Sequence, residues 1–253
     1  MTGNDTFPKT IPRMLLSIII PTREEEKTIA ETLRELRDAL KMPHEVIVSD
    51  ARSRDRTAEI ARKHAHVVVV FEGKKHTAGI GRNDGAKAAH GDFLAFIDAD
   101  TRIPDPNVFF ERAFAHFEKD PDLAGVTGPQ HALPSVETWA DRASFGFLNA
   151  LLRFQNNILH KGEASGKFML VRRAAFEKIG GFREDLVTRE DGDFFYRLSK
   201  VGRTYFDPKL KVYHGARRAH RIGWARLWFI WTINTISVAL FDKAIANDWT
   251  PIR

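Results

Sequence analysis

Short apolar runs alternate with helical patterns over the first hundred residues of the chain. The four predicted strands are residues 14–22, 44–50, 66–72 and 93–98. The segments between them are typical of amphipathic helices, and the clearest one, residues 24–41, repeats the apolar residues Ile29, Leu33, Leu36 and Leu40 at spacings of three and four. This order predicts an α/β domain with a mostly parallel central sheet flanked by helices. Such sheets bind ligands outside the carboxyl ends of their strands.

The second half of the chain is less regular and richer in aromatic residues. Its patterns predict helices over 106–119, 136–161 and 189–202, and strands near 123–127, 166–173 and 205–214. No repeat or low-complexity linker separates the two halves. We therefore expect one two-lobed domain.

Composition narrows the kinds of site that this chain can build. The sequence has no cysteine, which excludes disulfides, iron–sulfur clusters and thiolate metal sites. The net charge of +6 favours anionic partners such as nucleoside diphosphates, lipid phosphates or acidic membrane surfaces. Nucleic acid has only this net charge in its favour, so we expect no nucleic-acid partner.

The segment FLAFIDADT ends a predicted buried strand with Asp98 and Asp100. Alternate strand residues share a face, so both carboxylates can reach one cation. Mg²⁺ and Mn²⁺ prefer one or two carboxylates together with substrate phosphate oxygens. Haloacid-dehalogenase-type phosphatases also carry paired aspartates, but there the motif opens the domain and a Thr or Val fills its fifth position. Here Thr101 is one place early and three strands come first, so we disfavour that class.

Asp50 ends the second predicted strand, and a turn that contains Ser53 follows it. These groups offer acceptors to a nucleobase or ribose, although an ordinary helix cap is the alternative. A dinucleotide-binding loop is disfavoured, because Gly79, Gly81 and Gly85 have the wrong spacing for one.

The segment TREDGDFFYRL places Glu190, Asp191 and Asp193 at one predicted helix start. The helix dipole stabilises negative charge there. A carboxylate of this group that lies near a second acidic cluster would bind protons more tightly, as a general base requires. Helix capping with an ion pair to Arg189 or Arg197 is the alternative.

The order of these motifs resembles the family 2 glycosyltransferases, which are inverting enzymes of GT-A fold. The similarity covers about residues 15–215 and runs through SIIIPTREEEKTIAETL, EVIVSDARSRDRTAEIA, GRNDGAKAAHGDFLAFIDADT, GKFMLVRRAAFEKIGGFREDL, EDGDFFYRL and VYH. It implies a Rossmann-like sheet with a helical acceptor-side C-terminal region. It also implies metal-dependent transfer of one sugar from a UDP- or GDP-linked donor to a saccharide, glycolipid or polyprenyl-phosphate acceptor.

The resemblance also implies a division of the chain. We expect a flexible segment 1–13, a nucleotide-sugar-binding half 14–128, an acceptor-binding and catalytic half 129–220, and a C-terminal aromatic helix within 221–253.

Site residues follow from the resemblance by position. Nucleotide-sugar binding is implied for Pro21, Thr22, Glu24, Asp50, Ser53, Arg82, Asn83, Asp98, Ala99 and Asp100. Asp100 is the implied ligand of Mg²⁺ or Mn²⁺, and Asp98 holds the ribose or donor sugar and is a second candidate ligand. His214 approaches the metal or the diphosphate, with a packed histidine as the alternative. Asp191 is the implied catalytic base, with Glu190 beside it.

Residues 227–241 carry no charge, but they fall short of the roughly 18–20 residues that span a bilayer. The arginines nearby are Arg217, Arg218, Arg221 and Arg226. This pattern is typical of a helix in the membrane interface, and it predicts peripheral membrane contact. Packing on the domain itself or in a homodimer is the alternative. No secretory signal is evident, so we expect a cytoplasmic protein, free or at the cytoplasmic face of the membrane.

Two other function classes fit part of these patterns. A catalytically silent protein that binds sugar nucleotides or membranes would not need both acidic clusters. A nucleotidyltransferase usually has a glycine-rich basic loop after its first strand, where this chain has PTREEEKT. The Q-x-x-R-W signature of processive synthases is missing, and we therefore expect a single sugar transfer.

Overall fold

The computed structural model describes residues 15–73, 76–241 and 243. The predicted flexible segment 1–13 lies outside the described residues. The strands are β1 (Leu16–Thr22), β2 (His44–Asp50), β3 (Val67–Val70), β4 (Phe93–Phe96), β5 (Leu123–Thr127), β6 (Gln130–Ala132), β7 (Met169–Arg172), β8 (Arg203–Phe206) and β9 (Val212–His214). The helices are α1 (Ile29–Ala39), α2 (Thr57–His64), α3 (Ala78–Lys87), α4 (Pro106–Lys119), α5 (Trp139–Asn157), α6 (Arg173–Lys178), α7 (Glu190–Leu198), α8 (Arg217–Ile222) and α9 (Trp224–Phe241).

Seven strands form the central sheet in the order β3-β2-β1-β4-β7-β5-β8. Strand β7 runs antiparallel to both of its neighbours, and the other four pairs are parallel. Strands β6 and β9 form a separate parallel pair. The prediction of a mostly parallel sheet flanked by helices is thereby confirmed.

Strand β1 is buried on both faces, which explains its unbroken apolar run. Ile18 and Ile20 belong to the core cluster shared with α1 and α4. Ile19 points to the opposite face, where the core cluster includes residues of α3 and α7. Parallel strands covered on both faces require this near-continuous hydrophobicity.

Helix α5 is shorter than the predicted 136–161, because its first turn is fixed by side chains. Thr138 and Asp141 form a capping box in which each side chain accepts a hydrogen bond from the other's backbone N–H. The cap satisfies amide groups that have no partner within the helix, so the helix begins at Trp139.

The fully buried Asp141 also ties α5 to the C-terminal helices. Its carboxylate lies 2.8 Å from His220 Nε2 and accepts a hydrogen bond of 2.8 Å from Trp224 Nε1. Burial alone would raise the pKa of Asp141, but these partners and Thr138 hold it at about 2. Asp141 therefore fixes the start of α9 beside α5.

Within the described ranges, no helix is long and apolar enough to cross a membrane.

Candidate active site

A cavity of about 650 Å³ opens at the carboxyl ends of β1 and β4. The predicted site residues that line it are Pro21, Thr22, Arg82, Asp98, Ala99, Asp100, Glu190, Asp191 and His214. One side, which we call the charged wall, consists of Asp98, Asp100, Lys167, Glu190 and Asp191. The other side, which we call the α5–α9 groove, is lined by Leu148, Leu151, Leu152, Leu227, Trp228 and Trp231. The cavity thus joins two surfaces of opposite character.

Asp98 and Asp100 converge as predicted, and they share the ammonium group of Lys167. Nζ of Lys167 lies 3.1 Å from Asp98 Oδ2 and 2.7 Å from Asp100 Oδ1. Burial alone would lower the pKa of Lys167, but the two carboxylates raise it above its usual range. The ammonium is therefore charged and compensates the paired aspartates.

The second oxygen of Asp100 is paired with Arg217. Nη2 of Arg217 lies 3.0 Å from Asp100 Oδ2 and 3.0 Å from Glu25 Oε2. Burial alone would raise the pKa of Asp100, but Lys167 and Arg217 hold it well below its ordinary value. Asp100 is thus ionised and bridged by two cations. Arg217, which the sequence placed in a basic membrane flank, points into the cavity instead.

The carboxylates of Asp98 and Asp100 suit a hard divalent cation. Across the part of the chain that the structure describes, no cluster of three or more His, Asp or Glu side chains is arranged to hold a metal ion. Mg²⁺ completes such sites with waters and substrate phosphate oxygens. A divalent ion bound by these aspartates would therefore take some of its ligands from a substrate. It would replace the Lys167 ammonium as the cation that compensates the two carboxylates.

His214 lies at the end of β9 with its ring almost fully buried. Burial, with the nearby charge of Lys167, lowers the pKa of His214 to about 3, so the ring is neutral. Nδ1 accepts a hydrogen bond of 3.2 Å from the N–H of Ala216, which leaves the proton on Nε2. That Nε2 is buried and has no hydrogen-bond partner among the described residues. In this tautomer it can donate to a phosphate oxygen, whereas metal ligation requires it to lose that proton.

Arg82 connects the Asp98–Asp100 motif to the Glu190–Asp191 motif. Its guanidinium, 3% exposed, lies 2.8 Å from Glu190 Oε1 and 3.3 Å from Asp98 Oδ1. A side chain at Gly166 would clash with Nη2 of Arg82 and would have to displace the guanidinium. Arg82 therefore joins α3, β4 and the start of α7 at one point.

Asp191 accepts backbone hydrogen bonds of 2.7 Å from Gly166 N–H and 2.9 Å from Gly192 N–H. Beside it, burial and the charge of Asp191 raise the pKa of Glu190 to about 7. Glu163, which the sequence analysis missed, lies 2.9 Å from Arg189 Nη1. Its burial raises the pKa of Glu163 to about 7 as well. Three carboxylates therefore line the cavity here, namely Glu163, Glu190 and Asp191, while the third member of the predicted cluster, Asp193, pairs with Arg197.

Asp50, Ser53, Thr22 and Glu24 form one network at the ends of β1 and β2. Asp50 accepts hydrogen bonds from Thr22 Oγ1 at 3.0 Å and from Ser53 Oγ at 2.6 Å. Ser53 Oγ in turn accepts one of 2.7 Å from Glu24 N–H. Of the four, Thr22 alone lines the cavity. The network holds the turn that carries the cavity edge, and direct nucleotide contact by Asp50, Ser53 and Glu24 stays a prediction.

Asn83 is buried behind the cavity instead of lining it. Its amide N–H donates a hydrogen bond of 2.9 Å to Phe182 O, and its amide oxygen accepts one of 2.9 Å from Phe182 N–H. The paired bonds fasten α3 to the segment before α7. Nucleotide contact by Asn83 therefore stays a prediction, and in this structure its amide is taken up by the chain itself.

Three non-glycine residues at the cavity edge have left-handed backbones. They are Glu24 with φ 56°, Arg189 with φ 67° and Ala216 with φ 47°. Only a few per cent of non-glycine residues adopt this conformation. Each precedes a lining residue, namely Glu25, Glu190 and Arg217. The turns thus help to set the direction of charged side chains.

Sequence reasoning missed Lys167, Arg217 and Glu163 as site residues. Lys167 gave one signal, a lysine directly before the apolar run of β7. Its partner strand β4 is more than 70 residues earlier, and periodicity does not reveal that these strands are neighbours. Glu163 lies between helix and strand in a segment without a motif.

The model of the family "Glycosyl transferase family 2" matches residues 17–180. Among curated proteins, the chain is 28% identical over 168 residues to the O-antigen chain rhamnosyltransferase WbaN of Salmonella anatum, covering 63% of this chain and 52% of the relative. The chain spans about half the length of the curated relatives it matches.

Two solved structures show the same fold. The mannosyltransferase PcManGT from Pyrobaculum calidifontis, solved with GDP-Man and Mn²⁺, has a TM-score of 0.64 at 19% identity, covering 87% of this chain and 61% of its own. Glucosyl-3-phosphoglycerate synthase from Mycobacterium tuberculosis, solved with Mn²⁺, UDP and glucosyl-3-phosphoglycerate, has a TM-score of 0.58 at 20% identity, covering 90% and 79%. The predicted GT-A fold is confirmed. Because the family match covers more than half of the sequence, the chain belongs to glycosyl transferase family 2.

Proposed function

We propose that this chain catalyses metal-dependent, inverting transfer of one sugar from a UDP- or GDP-linked donor to an acceptor. The observation that carries the proposal is the convergence of Asp98, Asp100 and Asp191 on one cavity. Arg82 contacts Asp98 and Glu190 together, so the two acidic motifs form a single site. Membership of the family and the nucleotide-bound neighbours support the same chemistry.

Donor binding falls to the charged wall and to the edge of β1. Asp98 and Asp100 would hold Mg²⁺ or Mn²⁺, which when bound neutralises charge on the leaving nucleoside diphosphate. A metal ion bound by the aspartates would release Lys167 and Arg217 from them. Both side chains line the cavity and could then contact the diphosphate. The Nε2–H of His214 supplies one further donor to a phosphate oxygen. Positive groups preorganised where negative charge develops stabilise the transition state.

Acceptor activation falls to Asp191. Two backbone N–H groups fix its carboxylate at the start of α7, from where it accepts the proton of an acceptor hydroxyl. That oxygen then attacks the anomeric carbon from the face opposite the nucleotide, which inverts its configuration. An acceptor phosphate is already an anion and needs no base.

A thermal-shift screen of UDP, GDP and their sugars, with and without Mn²⁺ or Mg²⁺, tests donor binding. A ligand at 100 times its Kd stabilises a protein by about 2.7 kcal/mol, which is roughly 5–10 °C for a domain of this size. We expect Asp100→Asn to remove the metal-dependent part of this shift, and Asp122→Asn, on the surface, to keep it. If no nucleoside diphosphate stabilises the wild type in a metal-dependent way, the proposal fails.

The alternatives give different products in the same samples. A catalytically silent binding protein would be stabilised by the nucleotide but release no nucleoside diphosphate when acceptors are added. A nucleotidyltransferase would form pyrophosphate from a nucleoside triphosphate and a sugar phosphate. As part of the proposal we retain a cytoplasmic location with contact at the membrane surface; the exposed apolar side chains of α5 and α9 support the membrane contact.

A further inference from the structure

We propose that the α5–α9 groove binds the hydrocarbon chain of a lipid-linked acceptor whose polar head reaches Asp191. This inference rests on the proposed function, because it names the class of acceptor for the same site. Its basis is the continuity of one cavity, which runs from the charged wall to apolar side chains of two helices.

The groove has a buried floor and an exposed rim. Leu152 and Leu227, 3% and 2% exposed, form the floor. Leu151 and Ile236, 39% and 51% exposed, also line the cavity and lie at its rim. Trp228 extends this apolar surface and contacts Phe147 of α5 at a ring-centroid distance of 5.6 Å. An apolar guest would therefore be covered by leucine and tryptophan side chains from both helices.

Exposed apolar surface is concentrated on the same two helices. Fourteen large apolar residues are exposed in the described part of the chain, and ten of them lie on α5, directly after it or on α9. They are Trp139, Phe147, Leu151, Phe154, Ile158, Leu159, Phe229, Ile236, Leu240 and Phe241. Exposed apolar side chains concentrated on two packed helices are unusual in soluble proteins, where larger apolar surfaces mark binding sites.

The shape of the cavity favours an acceptor over other apolar occupants. A membrane surface or a second copy of this chain would cover the rim, but it would not fill a cavity that is lined by Asp191 as well as by the groove. A molecule with a hydrocarbon chain and a polar head fills both parts. The head could be the phosphate of a polyprenyl carrier or the sugar of a glycolipid, and both offer an oxygen nucleophile.

Tryptophan fluorescence can report binding, since Trp228 and Trp231 line the groove. The probes are hexyl, octyl and decyl phosphate below their micelle concentrations, with inorganic phosphate as the control. We expect saturable fluorescence changes and a Kd that falls about fourfold per added methylene, or about 15-fold per pair. Inorganic phosphate should cause no such change. Affinity that does not depend on chain length would overturn the proposal.

A pair of surface variants locates the binding site. Leu151→Asp puts a charge at the rim of the groove and should weaken decyl phosphate binding at least tenfold. Val108→Asp makes the same change on α4, where Val108 is 60% exposed, and should leave binding unchanged. Both side chains are exposed, so both variants should fold, which thermal unfolding checks. Equal binding by the two variants would contradict the assignment.

Further arms separate the possible occupants. Octyl glucoside that binds more tightly than octyl phosphate indicates a glycolipid head, and the reverse order indicates a lipid phosphate. The wild type could bind vesicles, lose that binding with Leu151→Asp, and bind no alkyl probe saturably. This result would assign the groove to the membrane surface and overturn the proposal. A dimer that Leu151→Asp dissociates, again without alkyl binding, would assign it to a second copy.

Donor binding distinguishes this inference from the proposed function. Leu151→Asp should keep the metal-dependent stabilisation by nucleoside diphosphates. If nucleotides stabilise the wild type and alkyl probes do not bind, only the groove assignment fails. If alkyl phosphates bind and no nucleotide does, the proposed transferase activity fails, and with it the role of the groove as an acceptor site.

Discussion

The two sides of the cavity are held together in opposite ways. On the charged wall, buried charges are paired with groups from other elements, as Glu190 is with Arg82. In the α5–α9 groove, leucines and tryptophans meet apolar neighbours, and Leu151 at the rim remains exposed. Loss of one partner on the charged wall leaves a buried charge uncompensated. Loss of one side chain at the rim of the groove removes only contact area.

The largest effect is expected where the charged wall meets the substrate. Asp191→Asn keeps the shape of the side chain but removes the proposed base, and general-base catalysis contributes about 10²–10⁴-fold. With a hydroxyl acceptor, we expect kcat to fall by that factor while the thermal shift by nucleotide and Mn²⁺ is unchanged. The control is Asp193→Asn, whose carboxylate pairs with Arg197 at 2.7 Å. A loss below tenfold with a hydroxyl acceptor would remove Asp191 as the base.

Arg82→Met tests the pairing within the charged wall. The change leaves Glu190 and Asp98 without their shared guanidinium, and breaking a buried pair typically costs 3–5 kcal/mol. The exposed pair of Arg56 and Glu59, 3.0 Å apart, supplies the control, since solvent screens this pair and Arg56→Met should change stability much less than Arg82→Met. Denaturant unfolding measures both. Similar costs for the two variants would erase the contrast between buried and exposed charge.

Glu163→Gln tests whether a buried carboxylate makes stability depend on pH. Burial raises the pKa of Glu163 from 4.5 to about 7, so between these values the folded state retains a proton that the unfolded chain releases. Wild-type stability should therefore fall as pH rises from about 4.5 to 7, by at most about 3 kcal/mol for such a shift. The variant should lose this part of the pH dependence.

Denaturant unfolding at pH 5 and pH 8 measures the effect of Glu163→Gln. The exposed Glu111 provides the control, because Glu111→Gln should keep the wild-type slope. A variant at position 163 with an unchanged slope would show that Glu163 does not hold its proton in the folded protein.

The smallest effect is expected on the outer face of α9. Phe229 is 65% exposed, so Phe229→Gln should change the free energy of unfolding by no more than about 0.5 kcal/mol. Leu227→Gln, a buried neighbour on the same helix, should cost several times more. Equal losses in the free energy of unfolding would mean that the exposed face of α9 stabilises the fold as much as its buried face does.

The sheet of the first half was predictable because each strand and helix there carries its own periodicity. Strands β1 to β4 and helices α1 and α4 lie within the predicted ranges. The position of β7 between β4 and β5 was not predictable, since it depends on contacts between distant segments. The prediction of helix 136–161 overran both ends of α5, because the capping box sets its start.

The site shows the same division. Asp98, Asp100 and Asp191 stand at strand or helix ends, where local pattern and family resemblance both point. Their partners Lys167 and Arg217 come from distant segments, and no local pattern pairs a lysine before one strand with an aspartate after another. The apolar residues of α5 and α9 were recognised in the sequence. Their arrangement into one groove required the tie that Asp141 makes to Trp224.

The left-handed turns at Glu24, Arg189 and Ala216 have a consequence for how this chain tolerates sequence change. A β-branched residue is strained in that conformation, whereas glycine adopts it freely. We therefore expect glycine to keep the backbone conformation at all three positions. At Ala216 the substitution would remove only a methyl group. Valine and isoleucine should be rejected at all three. If every residue were substituted in turn, these three positions at the cavity edge should tolerate glycine better than valine or isoleucine, although none of them is glycine in this chain.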